Sequence, residues 1–334
     1  MERDKAYSVA GDKSGIVAAI PAACSDERTA VGFIERQRWG DSPACPRCGD
    51  TDVYQMSGRT GERSARFLWG CRGCGRQFTV RIGTIFEDSR IPLRHWCYAF
   101  WAACASKKGV SALQIKRQTG LSYKSALFLM HRIRYAMAPA RSARKLSGTV
   151  EVDETYVGGR PRRLSRSQQL AAIQAGDMSD HRHGPMISHK PPVVALVERG
   201  GDVRAQVVAD VTAATLKGAI REHVDRSATI NTDEAKQYFG IGREFAGGHA
   251  TVKHAIGEYA RGEVTTNTVE GFFSLLKRGL YGTYHSVSKK HLHRYVAEFE
   301  FRYNTRKLDD GARVQAAILG AEGKRLMYRE LARA

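Results

Sequence analysis

Two short cysteine knuckles, Cys45-Pro46-Arg47-Cys48 and Cys71-Arg72-Gly73-Cys74, restrict this chain more than any other feature. Two residues between thiolates let one tight turn aim both sulfurs at a single point. A glycine follows each pair (Gly49, Gly75), where backbone N–H groups approach the sulfur. Two such turns, 22 residues apart, complete a tetrahedral site with sulfur at about 2.3 Å from the ion and no open coordination position. That is a structural Zn²⁺ held by Cys45, Cys48, Cys71 and Cys74. Two disulfides are the alternative, which a basic intracellular chain would not keep.

Short strands are expected around Tyr54, at Phe67-Leu68-Trp69 and at Gln77-Phe78-Thr79-Val80, making a zinc ribbon over residues 41–82. Ahead of it, Ser25-Asp26-Glu27 reads as the start of a short helix carrying Val31, Phe33, Ile34 and Trp39, which with a tail fills residues 1–40. Cys97 and Cys104 fit small core positions, Cys24 has no partner in the sequence, and none of the three is given a role.

The chain has 334 residues, 42% of them hydrophobic, enough for about two domains with cores and unlike a disordered, collagen-like or membrane-embedded protein. Its charge is less ordinary: 53 Lys and Arg against 34 Asp and Glu leave +19, and such a surplus points to a polyanion, with nucleic acid first. Residues 89–150 hold no Asp or Glu at all, while Arg90, Arg94, Lys107, Lys108, Lys116, Arg117, Lys124, Arg132, Arg134, Arg141, Arg144 and Lys145 are all basic. A solvated face is the ordinary reading of a charge run, but this one would repel itself, and a phosphate-binding segment explains it better. No apolar run reaches the ~18 residues of a membrane span. The stretch GIVAAIPAAC at residues 15–24 lacks a basic leader and is interrupted by Pro21. A cytoplasmic, nucleoid-associated protein is therefore expected.

Within the acid-free run, residues 83–146 have the grammar of a helix-turn-helix. Pro92 opens a helix with Trp96, Ala99, Phe100 and Ala103 on one face, and Gly109 breaks it. Ser111 caps a second helix that ends at Gly120, and Ser122 caps a third whose buried stripe is Ala126, Leu129, Met130 and Ile133. If the third helix enters a major groove, Tyr123, Lys124, His131 and Arg134 face DNA beside Lys116 and Arg117. A plain helical hairpin is the alternative.

Past residue 146 the pattern turns to α/β. Thr149 to Val157 is a β-rich run centred on an acid, and Pro191 to Glu198 and Val203 to Val208 are the next strands. Thr212 caps a helix running to about Asp225, and Ala228 to Thr232 is a strand that ends at Asp233. Asn267-Thr268 is expected to cap a helix with Val269, Phe272, Phe273 and Leu276 on its apolar stripe. Glu270, Ser274 and Lys277 lie beside that stripe within about 60° at 3.6 residues per turn. An Asp on a first strand, an Asp after a fourth and a Glu on a later helix gather three carboxylates around hard divalent cations, Mg²⁺ or Mn²⁺. Two such ions serve in-line phosphoryl displacement. Glu151 shares a strand face with Asp153 and is a minor competitor, whereas Glu154 points to the other face.

The segments VEVDETYVGG, PPVVALVERGG, INTDEAKQYF and TNTVEGFFSLLKRGLYGTYHSVSKKHLHRYVAEFEFRYN, with CPRCGD and CRGCGRQFTVRIGTIFEDSRIPLRHW before them, resemble the ISXO-type insertion-sequence transposases. The 36 residues between Asp233 and Glu270 resemble the interval typical of DDE transposases. The resemblance runs from about residue 30 to 310 and implies a multidomain protein: a zinc ribbon and helical segment, then an α/β RNase H-like catalytic domain, a mixed sheet flanked by helices, over residues 147–310. It places the metal-binding catalytic carboxylates at Asp153, Asp233 and Glu270 and zinc at the four knuckle cysteines. Some relatives carry Asn at the third acidic position; Glu here fits an active enzyme. Lys277 would hold phosphate. Residues 160–190, with Arg162, Arg163, Arg166 and Arg182, form an insertion that is either a surface loop over DNA or a spacer, and residues 311–334 a C-terminal helix. His254 and His285 are expected to be structural. The implied partners are double-stranded DNA, at element ends and at the target, and further copies of the chain in a homodimer or larger assembly. Two rivals remain at this point: a non-catalytic zinc-ribbon regulator and an RNase H-like nuclease without strand transfer.

Overall fold

The structure is a computed structural model that describes residues 13–58, 61–139, 144–158, 166–167, 190–252, 260–262 and 264–333. The basic insertion, apart from Arg166, Ser167 and Lys190, and His254 lie outside the described residues. Two compact units emerge, residues 1–143 with 282–284 and 297–334, and residues 144–281 with 285–296.

In the first unit, helices α1 (Lys13–Ser25) and α2 (Glu27–Trp39) meet at Asp26, which is extended and accepts the Thr29 amide at 2.7 Å on Oδ2. The sequence suggests one helix here. The second arises because Ile16, Ile20 and Ala23 recur at helical spacing and are buried, which outweighs the hydrogen bond lost at Pro21. Strands β1 (Val53–Gln55), β2 (Trp69–Cys71) and β3 (Gln77–Phe78) form an antiparallel sheet. Trp39 closes it against α2, edge-on to Trp69 at 5.7 Å and to Phe78 at 5.9 Å.

Helices α3 (Leu93–Ala105), α4 (Ala112–Thr119) and α5 (Tyr123–Met137) follow. Ser111 caps α4 by accepting the Gln114 amide at 3.2 Å, and Ser122 caps α5 by accepting that of Ser125 at 3.1 Å. Gly120, at φ 72°, takes the left-handed turn between them. Trp96, Phe100, Ile115, Leu129 and Ile133 are fully buried in one core with Ile34. The C-terminal segment expected as one helix is two, Asp310–Leu319 and Tyr328–Arg333, and Val314 and Ala317 of the first join that core.

The second unit is built on β4 (Thr149–Tyr156), β5 (Pro192–Glu198) and β6 (Val203–Val207), then helix α6 (Ala213–His223), β7 (Thr229–Thr232) and β8 (His249–Thr251). A short hairpin, β9 (Ala260–Arg261) with β10 (Val264–Thr265), leads into helix α7 (Asn267–Gly279). The sheet order is β6-β5-β4-β7-β8, with β5 antiparallel and β7 parallel to the central β4. This mixed sheet flanked by helices is the RNase H-like arrangement expected from the sequence. Alternation along β4 buries Val150 and Val152 with Leu216 and Ile220 of α6, and turns Glu151 and Asp153 to the opposite face, where α7 packs.

Candidate active site

The thiolate site is local in origin. The Sγ atoms of Cys45, Cys48, Cys71 and Cys74 all lie within 4.8 Å of one another. Cys45 and Cys74 are 3.8 Å apart and Cys48 and Cys71 are 3.6 Å apart. A tetrahedron with bonds of about 2.3 Å has edges of about 3.8 Å, so the four sulfurs fit a zinc ion. They are far beyond the roughly 2.05 Å of a disulfide. Gly49 (φ 80°) and Gly75 (φ 67°) close the knuckles by donating to the Cys45 and Cys71 carbonyls at 2.9 Å each. Glu35 of α2 anchors β2 by accepting Trp69 Nε1 at 2.7 Å.

The carboxylates come together by register. Parallel pairing sets Glu151 opposite Asn231, so two residues further Asp153 faces Asp233, just past the end of β7. Asp233 Oδ1 accepts the Ala235 amide at 3.0 Å, a turn that fixes the carboxylate at the strand end. Glu270 follows on the first turn of α7, exposed, and its Oε1 accepts the hydroxyl of buried Thr266 at 3.2 Å. Burial pushes the Asp153 carboxyl up to about 7, against the Glu154 amide that donates to it, and repulsion from Glu154, Asp233 and Glu270 adds to the rise. The three proposed acids thus share an electrostatic neighbourhood. Among the described residues, the four cysteines alone form a group of three or more metal-ligand side chains within 4.8 Å, so these carboxylates stand further apart than the thiolates. Their oxygen donors suit hard divalent cations, and a cation would relieve the repulsion that raises Asp153. Lys277, half-buried, lies two turns beyond Glu270 on the same helix.

Two neighbouring acids play parts that alternation along the strand did not reveal. Glu154 does face away from Asp153, where its Oε2 accepts the hydroxyl of fully buried Tyr238 at 2.6 Å. Burial, with repulsion from Asp233, raises its pKa. Glu151 turns to the start of α7 instead of joining the cluster. The expected cap at Asn267-Thr268 is accordingly replaced: Thr266 precedes the helix without a side-chain capping bond, because a carboxylate from β4 already fills the role.

The DNA-facing candidates divide. Lys116, Arg117, Tyr123 and Lys124 are exposed, and Lys124 Nζ sits 4.8 Å over the Tyr328 ring. His131 (3% exposed) and Arg134 (1%) are inside the core, so neither is available to DNA. Arg134 Nε donates to Glu298 at 2.7 Å; the same carboxylate accepts Arg302 at 2.6 Å and the Tyr284 hydroxyl at 2.7 Å. Burial alone would raise Glu298, but the two guanidiniums hold it below the usual carboxylate range. Arg132 is buried too and donates to the carbonyls of Ile85, Glu87 and Leu326. His285, expected to be a structural histidine, is exposed with φ 57°.

Residues 145–304 match the family model for the ISXO2-like transposase domain, and residues 25–77 match that for the transposase zinc-ribbon domain. Over 277 residues the chain is 29% identical to an uncharacterised protein in transposable element ISH50 of Halobacterium salinarum, covering 83% of this chain and 90% of that protein.

Proposed function

We propose that the chain, whose residues 25–77 and 145–304 match the transposase zinc-ribbon and ISXO2-like transposase domains, is a transposase that binds the terminal inverted repeats of its element and catalyses cleavage and strand transfer at Asp153, Asp233 and Glu270. The observation that carries this reading is the parallel register that brings half-buried Asp153 of the central strand beside Asp233 at the end of β7, where burial and repulsion from Asp233 and Glu270 push the Asp153 carboxyl up to about 7. Like charges held together at the end of a sheet cost stability unless a cation is meant to join them.

Divalent cations held by the three carboxylates would supply the Lewis acidity that phosphoryl transfer needs. The chain's own residues do the rest. Thr266 orients Glu270 through its hydroxyl. Lys277, on the polar stripe of α7, meets a phosphate of the bound strand. End binding falls to the zinc ribbon and to Lys116, Arg117, Tyr123 and Lys124, which are exposed. Basic side chains at phosphates give affinity without reading sequence, so recognition of the repeat rests on the residues that reach base edges.

The test is a strand-transfer assay on pre-cleaved element ends with Mg²⁺, wild type against Asp153→Asn. Transfer by the wild type and none by the variant is the expected result. Hydrolysis of ends without joining would leave a nuclease instead.

A further inference from the structure

We propose that Glu151 is a positioning residue that sets the Glu270 helix against the strand carrying Asp153. The proposal rests on the reading of Asp153 and Glu270 as catalytic carboxylates. Glu151 is completely buried, and both of its oxygens are occupied by donors from elsewhere in the chain. Oε2 accepts the amides of Thr268 at 2.7 Å and Val269 at 3.1 Å. Oε1 accepts the Thr268 hydroxyl at 3.0 Å and Arg199 Nε at 2.8 Å. The first amides of a helix have no partner within it and carry its positive dipole end, so a carboxylate there answers both needs.

Arg199 extends the clamp. It follows β5, its amide donates to the Thr149 carbonyl at 3.0 Å, and its guanidinium reaches the Thr265 carbonyl at 3.3 Å, just before α7. The start of the helix is therefore gripped through its amides by Glu151 and through the preceding carbonyl by Arg199.

What makes this more than a buried ion pair is where the two ends of the clamp sit. Glu151 is two residues before Asp153 on the same face of β4, about 7 Å along the strand. Val269, whose amide it holds, immediately precedes Glu270. One side chain thus spans from the strand that bears the first catalytic acid to the turn that bears the third. The separation of those carboxylates, which determines the cations they can bind together, depends on it. A glutamine cannot substitute: whichever way its amide turns, the NH₂ meets N–H donors, either those of Thr268 and Val269 or that of Arg199.

The experiment compares wild type, Glu151→Gln, Arg199→Met, Asp153→Asn and Glu270→Gln in the full-length, zinc-loaded protein. It measures thermal melting, end binding, Mn²⁺ binding to the protein alone, and strand transfer from pre-cleaved ends. Glu151→Gln should bind ends normally but hold Mn²⁺ about 10–100-fold more weakly, as loss of an outer support does at metal sites. Transfer should fall about 100-fold, the effect of a displacement near 1 Å, and excess Mn²⁺ should restore part of it. Arg199→Met should move every readout the same way by less. A purely structural role would lower the melting temperature and leave Mn²⁺ affinity unchanged in the folded protein. A folded Glu151→Gln with wild-type Mn²⁺ affinity and transfer overturns the proposal; if that variant does not fold, the same result for Arg199→Met overturns it. Full transfer by Asp153→Asn or Glu270→Gln would instead sink the catalytic reading on which the proposal rests.

Discussion

The thiolate site and the carboxylate site are gathered over very different lengths of chain. Cys45 and Cys74 are 29 residues apart, and each knuckle is a single turn whose glycine closes a bond to its own cysteine carbonyl. Asp153 and Glu270 are separated by 117 residues, and what brings them together is a parallel strand register and a helix held from outside by Glu151. Four sulfurs that converge within 4.8 Å leave no room for anything but the ion. Carboxylates that stand further apart leave room for cations, water and a phosphate. A closed site stabilises its own module; an open one costs stability and is available for chemistry.

The sharpest way to break that contrast is to neutralise the open site. Asp153→Asn, Asp233→Asn and Glu270→Gln keep shape and hydrogen-bonding capacity but remove charge. Each is expected to reduce cleavage and strand transfer by roughly 10⁴-fold or more, while end binding by gel shift stays near wild type. Because the acids act as one unit, double variants should be little worse than singles. Full Mg²⁺-dependent transfer after all three substitutions would remove the mechanism proposed above.

The closed site should respond in the opposite sense. Cys45→Ser or Cys71→Ser is expected to lose zinc and specific end binding, since a thiolate site folds with its metal. Residues 144–281 should remain folded, which proteolysis followed by mass spectrometry would show. Zinc retained at one per chain in both variants would refute the four-cysteine assignment.

This difference in range also explains what could be read without coordinates. The zinc knuckles, the serine caps at Ser111 and Ser122 and the turn at Gly120 are local, and spacing alone located them. Alternation on β4 correctly put Glu154 opposite Asp153. Alternation could not say that Glu151 caps a helix 117 residues away, although an acid between Val150 and Val152 on a central strand has to find partners. Within the acid-free run, the same reason hid which bases are turned inward: Arg132 and Arg134 are buried. Its bases looked unopposed only along the sequence: Glu298 meets Arg134, and Glu198 meets Arg144.

The carboxylate site has a pH signature of its own. Folding raises the Asp153 pKa from an ordinary value of about 4 to about 7, so the neutral carboxyl is favoured in the folded state. The resulting stabilisation is fully present below about pH 4 and is lost as pH rises through about 7, on the order of 4 kcal/mol in all. In calorimetry without divalent cations, the melting temperature of wild type should fall between pH 5 and 7.5 relative to Asp153→Asn. Added Mg²⁺ should raise the wild-type melting temperature more at pH 7.5 than at pH 5.5, because binding needs the ionised form. Equal pH profiles for the two proteins would show that Asp153 titrates as an ordinary carboxyl.

The smallest effects separate buried from exposed bases in the segment that sequence alone treats as uniform. Arg134→Ala leaves Glu298 with one guanidinium fewer in a dry core and is expected to cost about 3–5 kcal/mol of stability. The variant that remains folded should bind ends with an unchanged dependence on salt. Lys116→Ala and Arg117→Ala are exposed on α4 and should alter stability by no more than about 0.5 kcal/mol. If each meets one phosphate, each should lower the slope of log affinity against log salt by about 0.9. With six exposed bases engaged (Arg90, Lys107, Lys108, Lys116, Arg117 and Lys124), wild-type affinity should fall about 10³-fold between 50 and 200 mM salt. Fluorescence anisotropy on an element end at four or five salt concentrations measures all of these slopes. A shallower slope for Arg134→Ala than for Lys116→Ala would mean that Arg134 leaves the core to meet DNA. A flat wild-type response would mean that the exposed bases of α4 and α5 face something other than a polyanion.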